Sequence, residues 1–201
     1  MKSIYKIIII LIIISAVVFS FVRFSKTDKV VNVDGGENTE ETVGQDVEIL
    51  EDVVSPEIKK VDDSSSTFIH KKYAFSFTYP SSMKTSNFRE GDGEQILFQD
   101  DANKNWFQIN ITPWDESGDL TVARIKKDIP DIVIKDPQSV ILGPDQKSSS
   151  GPKAIIFFSK EASLGETREV WFVKNGNLYQ VTTYKRLDAL ISQILSTLVF
   201  E

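Results

Sequence analysis

His70 is the only histidine in this 201-residue chain, and it lies in the stretch FIHKKYAFSFTYPSSM. An imidazole acts as a catalytic acid or base only when a carboxylate or a nucleophile lies within hydrogen-bonding distance. The residues that follow it, Lys71 and Lys72, carry no acceptor that could orient the ring. Since HKK separates two strand-like runs, we predict a short exposed turn and no catalytic role. A carboxylate brought to His70 by the fold would overturn this interpretation.

Three acids, Asp115, Glu116 and Asp119, occur together in the stretch WDESGDL. Calcium requires several oxygen ligands that converge on one point, so this loop raises the hypothesis of a calcium-dependent binding module. The competing interpretation is that the acids lie at the start of a helix, where the helix dipole favours negative charge. The sequence places no second group of carboxylates beside them, and we predict no metal site.

The motifs of common enzymes are missing from the sequence. It contains no phosphate-binding glycine loop, no GxSxG and no histidine spacing typical of a metal centre. It also has no cysteine, which excludes disulfides, thiol nucleophiles and thiolate ligands. We therefore predict no catalytic residue and no cofactor. Paired carboxylates that hydrolyse glycosidic bonds could come from any of the acids, so a hydrolase of an envelope polymer stays open as an alternative.

The stretch WFQINITPW alternates apolar and polar residues with the period of a β-strand. Its outward face carries two aromatic residues around polar amides, a combination that suits the binding of a protein partner. We predict a partner-binding surface made of Trp106, Gln108, Asn110 and Trp114. The competing interpretation is that a helix covers this face and that the tryptophans pack in the core or at an edge.

The net charge of −6 is unevenly distributed along the chain. Residues 1–26 carry four bases and no acid, residues 27–66 carry twelve acids and three lysines, and residues 67–201 are close to neutral. The last segment lacks the basic balance of a nucleic-acid-binding domain, so we predict no nucleic-acid partner. Low hydrophobicity with high net charge predicts that residues 27–66 are an acidic disordered linker.

The N-terminal segment, residues 1–26, is predicted to be a membrane anchor. Residues 7–22 are uncharged and isoleucine-rich, and basic residues flank them on both sides. Sixteen helical residues reach about 24 Å, and snorkelling of the flanking bases extends that length. This favours a single-pass protein of the cell membrane whose domain is extracytoplasmic. The alternative is a signal peptide that is cleaved near Ser20, which would give a secreted protein.

Residues 67–201 are predicted to form one α+β domain, an antiparallel sheet covered by helices. A strand is predicted in KYAFSFTYP, a helix from Asp119 to Ile129, and a type I′ hairpin at Asn175-Gly176. An apolar stripe with helical spacing runs from Leu187 to Leu198 and must pack on the sheet.

The order of KYAFSFTYP, WFQINITPW, EVWFVKNGNLYQVTTY and DALISQILSTLVF resembles the PsbP-like family. That family is named for an extrinsic subunit of photosystem II and shares its fold with a Ran-binding nuclear-import factor. The resemblance spans nearly all of residues 67–201 and implies an α/β/α sandwich with a non-catalytic, partner-binding role. No ion-binding residue of the family matches a position here. An acidic linker replaces the N-terminus through which plant members bind their photosystem, so the photosynthetic role is not expected.

These observations together predict a membrane-anchored, extracytoplasmic domain that binds or scaffolds another protein of the cell envelope. The membrane itself is expected to be contacted through residues 7–22. The polymer hydrolase and the calcium-dependent module are the two alternatives.

Overall fold

A computed structural model describes residues 56–144 and 151–201, which lie in the compact unit Val54–Glu201. The predicted anchor, residues 1–26, and most of the predicted linker fall outside the described residues. Within the two described ranges, no helix combines the length and the hydropathy needed to cross a membrane.

The described chain consists mostly of β-strands joined by short turns. Its elements are β1 (Glu57–Lys60), β2 (Ser65–His70), β3 (Phe75–Pro80), β4 (Lys84–Glu90), β5 (Gly93–Asp100), β6 (Asn105–Pro113), α1 (Val122–Asp128), β7 (Lys135–Ile141), β8 (Lys153–Glu161), β9 (Gly165–Lys174), β10 (Asn177–Tyr184), α2 (Asp188–Ser196) and β11 (Val199–Phe200). A single 3₁₀ turn, Lys185–Leu187, precedes α2.

The strands form two antiparallel sheets. The smaller sheet has the order β1-β2-β3-β11, and the larger sheet has the order β4-β5-β6-β10-β9-β8-β7. The expectation of an α+β sandwich, with one sheet between helical layers, is therefore corrected to a mostly β fold. The two α-helices have only seven and nine residues, so a second sheet provides most of the covering layer that the sequence analysis assigned to helices.

The main core lies between the smaller sheet and the inner face of the larger sheet. The predicted alternation in β3 is confirmed, because Phe75, Phe77 and Tyr79 are all buried. Phe77 packs against Phe98 of the larger sheet, whose ring stacks on Phe107 with a centroid separation of 4.3 Å. Burial of such rings is the main stabilising contribution in a core of this kind.

Helix α2 and strand β11 complete this core near the C-terminus. The predicted apolar stripe from Leu187 to Leu198 is confirmed, because its residues are buried or partly buried, although α2 itself ends at Ser196. β11 then pairs with β3, with Phe200 opposite Phe75.

A second, smaller core covers one end of the outer face of the larger sheet. Its buried residues are Leu120, Ile125, Ile155, Phe157, Trp171 and Leu178. The covering segment, residues 114–134, includes α1, whose first turn is capped by the Thr121 hydroxyl accepting a hydrogen bond from the Arg124 amide. The predicted helix is thus confirmed, with Thr121 as the cap.

The predicted linker boundary at residue 66 differs from the structure, because β1 and the start of β2 lie before it. The Asp62 carboxylate accepts hydrogen bonds from the backbone amides of Ser64 and Ser65, which closes the turn between the two strands. A hydrogen bond from the Ser64 hydroxyl, together with these backbone bonds, lowers the pKa of Asp62 to about 2. An acidic, serine-rich stretch therefore forms a hairpin where composition alone predicted disorder.

Candidate functional site

His70 is buried between the two sheets, and the prediction of an exposed turn is wrong. Its side chain has no solvent exposure, and its Nε2 lies 2.7 Å from Oε1 of Glu94. His70 ends β2 on the same face as Phe68, so the strand runs one residue further than the sequence pattern suggested. The turn begins at Lys71. The shared parity of Phe68 and His70 was the signal that could have identified His70 as inward-facing.

The Glu94 carboxylate is surrounded by polar and basic side chains of β2, of β4 and of the turn after β2. Asn87 Nδ2 donates to its Oε1 at 2.7 Å, while Arg89 and Lys72 lie 3.6 Å and 3.9 Å from its Oε2. Burial opposes ionisation of Glu94, but hydrogen bonds from His70 and Asn87 outweigh it and hold the pKa of the carboxyl below its usual range. The fold therefore supplies the carboxylate that the sequence neighbours of His70 lacked.

This cluster stabilises the contact between the sheets. The His70 ring stacks on Phe75 at 5.3 Å and lies 4.9 Å from the ring of Tyr73. Neither His70 nor Glu94 exposes any side-chain area. A catalytic acid or base must reach its substrate, so this geometry makes the pair a structural contact, not a reacting one.

A second polar cluster lies on the outer face of the larger sheet. We call it the polar strip; its residues are Gln95, Gln108, Asn110, Gln180 and Thr182. They are neighbours in register, since Gln108 lies opposite Thr182, and Asn110 lies opposite both Gln95 and Gln180. Gln95 Nε2 donates to Gln108 Oε1 at 3.0 Å. This bond joins the two amide side chains across β5 and β6.

The four predicted partner-binding residues do not lie together in the structure. Gln108 and Asn110 lie in the polar strip and expose only 4% and 5% of their surface. Trp106 lies at one end of the strip, half-buried, with its ring 5.1 Å from that of Tyr184. Trp114 follows the opposite end of β6.

Trp114 is partly buried against the second core. It packs against the cluster that contains Ile125, and the guanidinium of Arg124 lies 4.9 Å from the centre of its ring. The two tryptophans therefore do not form one surface. The competing interpretation, that a helix-bearing segment covers the tryptophans, describes Trp114, while Trp106 remains on the part of the face beside the polar strip.

Glu169 is a buried acid on the outer face that the sequence analysis missed. It accepts hydrogen bonds from Thr167 and Thr182, each at 2.7 Å, and from the Trp171 indole at 3.2 Å. Burial raises the pKa of its carboxyl to about 7, although these three donors oppose the shift. Glu169 and Trp171 are two positions apart in REVWFVK, so their side chains lie on the same face of the strand. This shared face was the sequence signal that could have identified Glu169.

Asp115, Glu116 and Asp119, the acids of the calcium hypothesis, do not converge on one point. Glu116 pairs with Arg124, and Asp119 Oδ2 lies 3.2 Å from Lys153 Nζ. Across residues 56–144 and 151–201 there is no group of three His, Cys, Asp or Glu side chains arranged to hold a metal ion. Two of the three acids are therefore paired with basic side chains of the protein.

An open pocket of about 700 Å³ lies next to Trp106, beyond the end of the polar strip. It is lined by Lys104, Glu166, Tyr184, Lys185 and Arg186. Sequence reasoning could not identify it, because its residues come from three separate segments that meet only when β6, β9 and β10 pair.

Comparisons with known proteins find similarity to solved structures, but not to a family model or a curated protein. No family model matches the chain, and no curated protein matches it. The solution structure of cyanobacterial PsbP from Synechocystis sp. PCC 6803 is similar, with a TM-score of 0.48 and 8% sequence identity. The match covers 70% of this chain and 94% of that one. The described domain is thus similar to a protein of the same PsbP group that the sequence resembles.

Proposed function

We propose that this chain is a membrane-tethered, extracytoplasmic binding domain that docks another protein of the cell envelope. Its contact surface is the end of the polar strip marked by Trp106. The observation that carries the proposal is the half-buried Trp106, packed edge-on against Tyr184 beside the polar strip.

An aromatic residue of this kind suits a binding surface. Large rings that remain partly accessible after folding contribute area to an interface at a low cost in conformational entropy, and they dominate binding hot spots. Tyr184 holds the Trp106 ring from one side, so that the ring is oriented before a partner arrives. Such preorganisation lowers the entropic cost of association.

The burial of two carboxyl groups, those of Glu94 and Glu169, favours a binding role over a catalytic one. Glu94 lies in the buried cluster with His70, and Glu169 accepts a hydrogen bond from Thr182 of the polar strip. Both carboxyls are buried and hydrogen-bonded to donors of the protein. The hydrolase alternative needs a pair of carboxyls that reach a substrate in an open cleft. A buried Glu169, 4% exposed, does not provide one member of such a pair.

The membrane part of the proposal rests on the sequence. The uncharged residues 7–22 with basic flanks support an anchor, and the acidic composition of the residues that follow supports a spacer between membrane and domain. Under this arrangement the described domain meets its partner outside the membrane.

The test is proximity crosslinking in the native host with the full-length chain and a Trp106→Ala variant. We expect a dominant envelope protein among the crosslinked species, and we expect the Trp106 variant to lose it. Phe88→Ala is the matched control, because Phe88 is an exposed aromatic on the outer edge of the same sheet, next to Gln95. Retention of the partner by the Trp106 variant, or its equal loss in both variants, would contradict the assigned surface. Thermal melting must show that both variants are folded.

A further inference from the structure

We propose that the pocket beside Tyr184 binds carboxylate groups of an acidic segment in the protein partner. We call it the cationic pocket; its residues are Lys104, Tyr184, Lys185, Arg186 and, at its margin, Glu166. The inference rests on the proposed function and specifies the chemistry of the partner.

The cationic pocket has a surplus of positive charge. Lys185 Nζ lies 3.1 Å from Glu166 Oε2, so these two charges compensate each other. Arg186 instead donates to neutral oxygens, Oδ1 of Asn105 at 2.6 Å and the backbone carbonyl of Lys104 at 2.5 Å. Within the described part of the chain, neither Arg186 nor Lys104 forms an ion pair. Two positive charges are therefore left for a ligand.

Arg186 is held in a defined position. Its two hydrogen bonds engage both terminal nitrogens, and its guanidinium lies 5.2 Å from the centre of the Tyr184 ring. A guanidinium that is already fixed loses less side-chain entropy when it pairs with a carboxylate. Charge-assisted hydrogen bonds of this type are about twice as strong as neutral ones.

The cationic pocket is continuous with the proposed contact surface. The Tyr184 ring centre lies 5.2 Å from the Arg186 guanidinium and 5.1 Å from the centre of the Trp106 ring. A ligand that packs on Trp106 therefore places its neighbouring groups beside Arg186 and Lys104. This arrangement fits an extended peptide in which acidic residues flank an apolar or aromatic one.

A peptide explains the pocket better than other anions do. Residues 67–201 are close to neutral overall, whereas nucleic-acid-binding domains carry a general basic excess. An anionic membrane surface is recognised by basic clusters spread over a face, whereas here the cations converge on one pocket that also contains an acid, Glu166.

The experiment uses the full-length chain in detergent and a fluorescent peptide that alternates glutamate and leucine. Fluorescence anisotropy measures its binding to the wild-type chain and to a double variant, Lys104→Gln with Arg186→Gln. We expect the double variant to bind at least about tenfold more weakly, the loss that corresponds to one charge-assisted contact. Lys59→Gln, which removes an exposed lysine of β1, is the control and should bind like the wild type.

Three results would overturn the inference: no binding of the peptide to the wild-type chain, equal binding to the double variant, or equal binding of a matched peptide with glutamine in place of glutamate. Wild-type binding to phosphatidylglycerol vesicles that is lost in the double variant, without peptide binding, would assign the pocket to lipid.

Crosslinking in the native host separates this inference from the proposed function. A partner that is lost with Trp106→Ala but kept by the double variant contradicts only the acidic-segment inference. A partner that is kept by the Trp106 variant contradicts the proposed surface itself. Loss in both variants, with retention by Lys59→Gln, is the expected result.

Discussion

The Nε2 atom of His70 lies 2.7 Å from Oε1 of Glu94, and this contact joins the last residue of β2 to the second residue of β5. The two strands belong to different sheets. Because both side chains are fully buried, the pair links the sheets within the protein interior, where an unpaired polar group is costly.

Removal of Glu94 should destabilise the domain strongly. In Glu94→Ala, His70 would remain buried without its partner, and we expect the free energy of unfolding to fall by about 3–5 kcal/mol. Urea denaturation measures this change. A double variant, His70→Phe with Glu94→Leu, replaces both polar groups with apolar ones and should recover most of the loss, because the ring site is already lined by Phe68 and Phe75. A loss below about 1 kcal/mol in Glu94→Ala would show that the contact is weak.

Glu94 should also contribute to acid unfolding. Its folded pKa lies below the ordinary value of 4.5, so the ionised form stabilises the folded state. This contribution is fully present above pH 4.5 and is lost as the pH falls through the folded pKa. Glu94→Gln should therefore lose less stability than the wild type between pH 5 and pH 2, relative to each protein at pH 6. Parallel acid curves for the two proteins would contradict this assignment.

Glu169 should produce the opposite pH dependence. Its pKa is raised from 4.5 to about 7 by burial, so the unfolded chain ionises this group more readily than the folded one. Its contribution is present below pH 4.5 and is lost as the pH rises through 7, by up to about 3 kcal/mol. Chemical denaturation of the wild type and of Glu169→Gln from pH 4.5 to pH 8 tests this. The difference in stability between them should shift in favour of the glutamine variant as the pH rises; a constant difference would contradict the prediction.

The two tryptophans of the predicted surface should respond differently to truncation. Trp114→Ala removes a ring from the second core and the partner of the Arg124 guanidinium, so we expect a loss of about 3 kcal/mol. Trp106→Ala removes a half-buried ring and should cost about 1 kcal/mol. Urea denaturation of both variants tests the order, which would be reversed if Trp106 were the core residue.

Calcium should leave the stability of the protein unchanged. Glu116 is engaged by Arg124 and Asp119 by Lys153, so a calcium ion would have to displace these cations. Thermal melting of the full-length chain in millimolar calcium and in EDTA should give the same midpoint. A higher midpoint with calcium, absent in an Asp115→Asn variant, would restore the calcium-dependent module.

Local patterns predicted the local elements of this domain. The Asn175-Gly176 hairpin has positive φ at both residues, 49° and 71°, as a type I′ turn requires. Helix α1 forms inside the predicted range 119–129, with Thr121 as its cap. These features depend on residues close in sequence.

The contacts that define the candidate site are not local. His70 and Glu94 are separated by 24 positions, and their contact depends on how the two sheets pack, which no periodicity specifies. The cationic pocket likewise needs the pairing of β6, β9 and β10. Gln108 and Asn110 were predictable as one face of β6, whereas the other members of the polar strip come from β5 and β10. The separation of Trp114 from the strip depends on where the segment 114–134 packs.

The pairing of β11 with β3 has a consequence for the route by which the domain folds. Phe200 lies opposite Phe75, so the smaller sheet is completed by two stretches of chain that are 125 positions apart. Contacts with such large sequence separation are slow to form, because the entropy of closing the loop is lost before the contact is gained. β2 and β3 can pair early as a local hairpin, but the edge of β3 stays open until the rest of the larger sheet and α2 are in place. During that interval the backbone of β3 at Phe75 and Ser76 is unpaired, and a folding chain can pair there with another copy of itself.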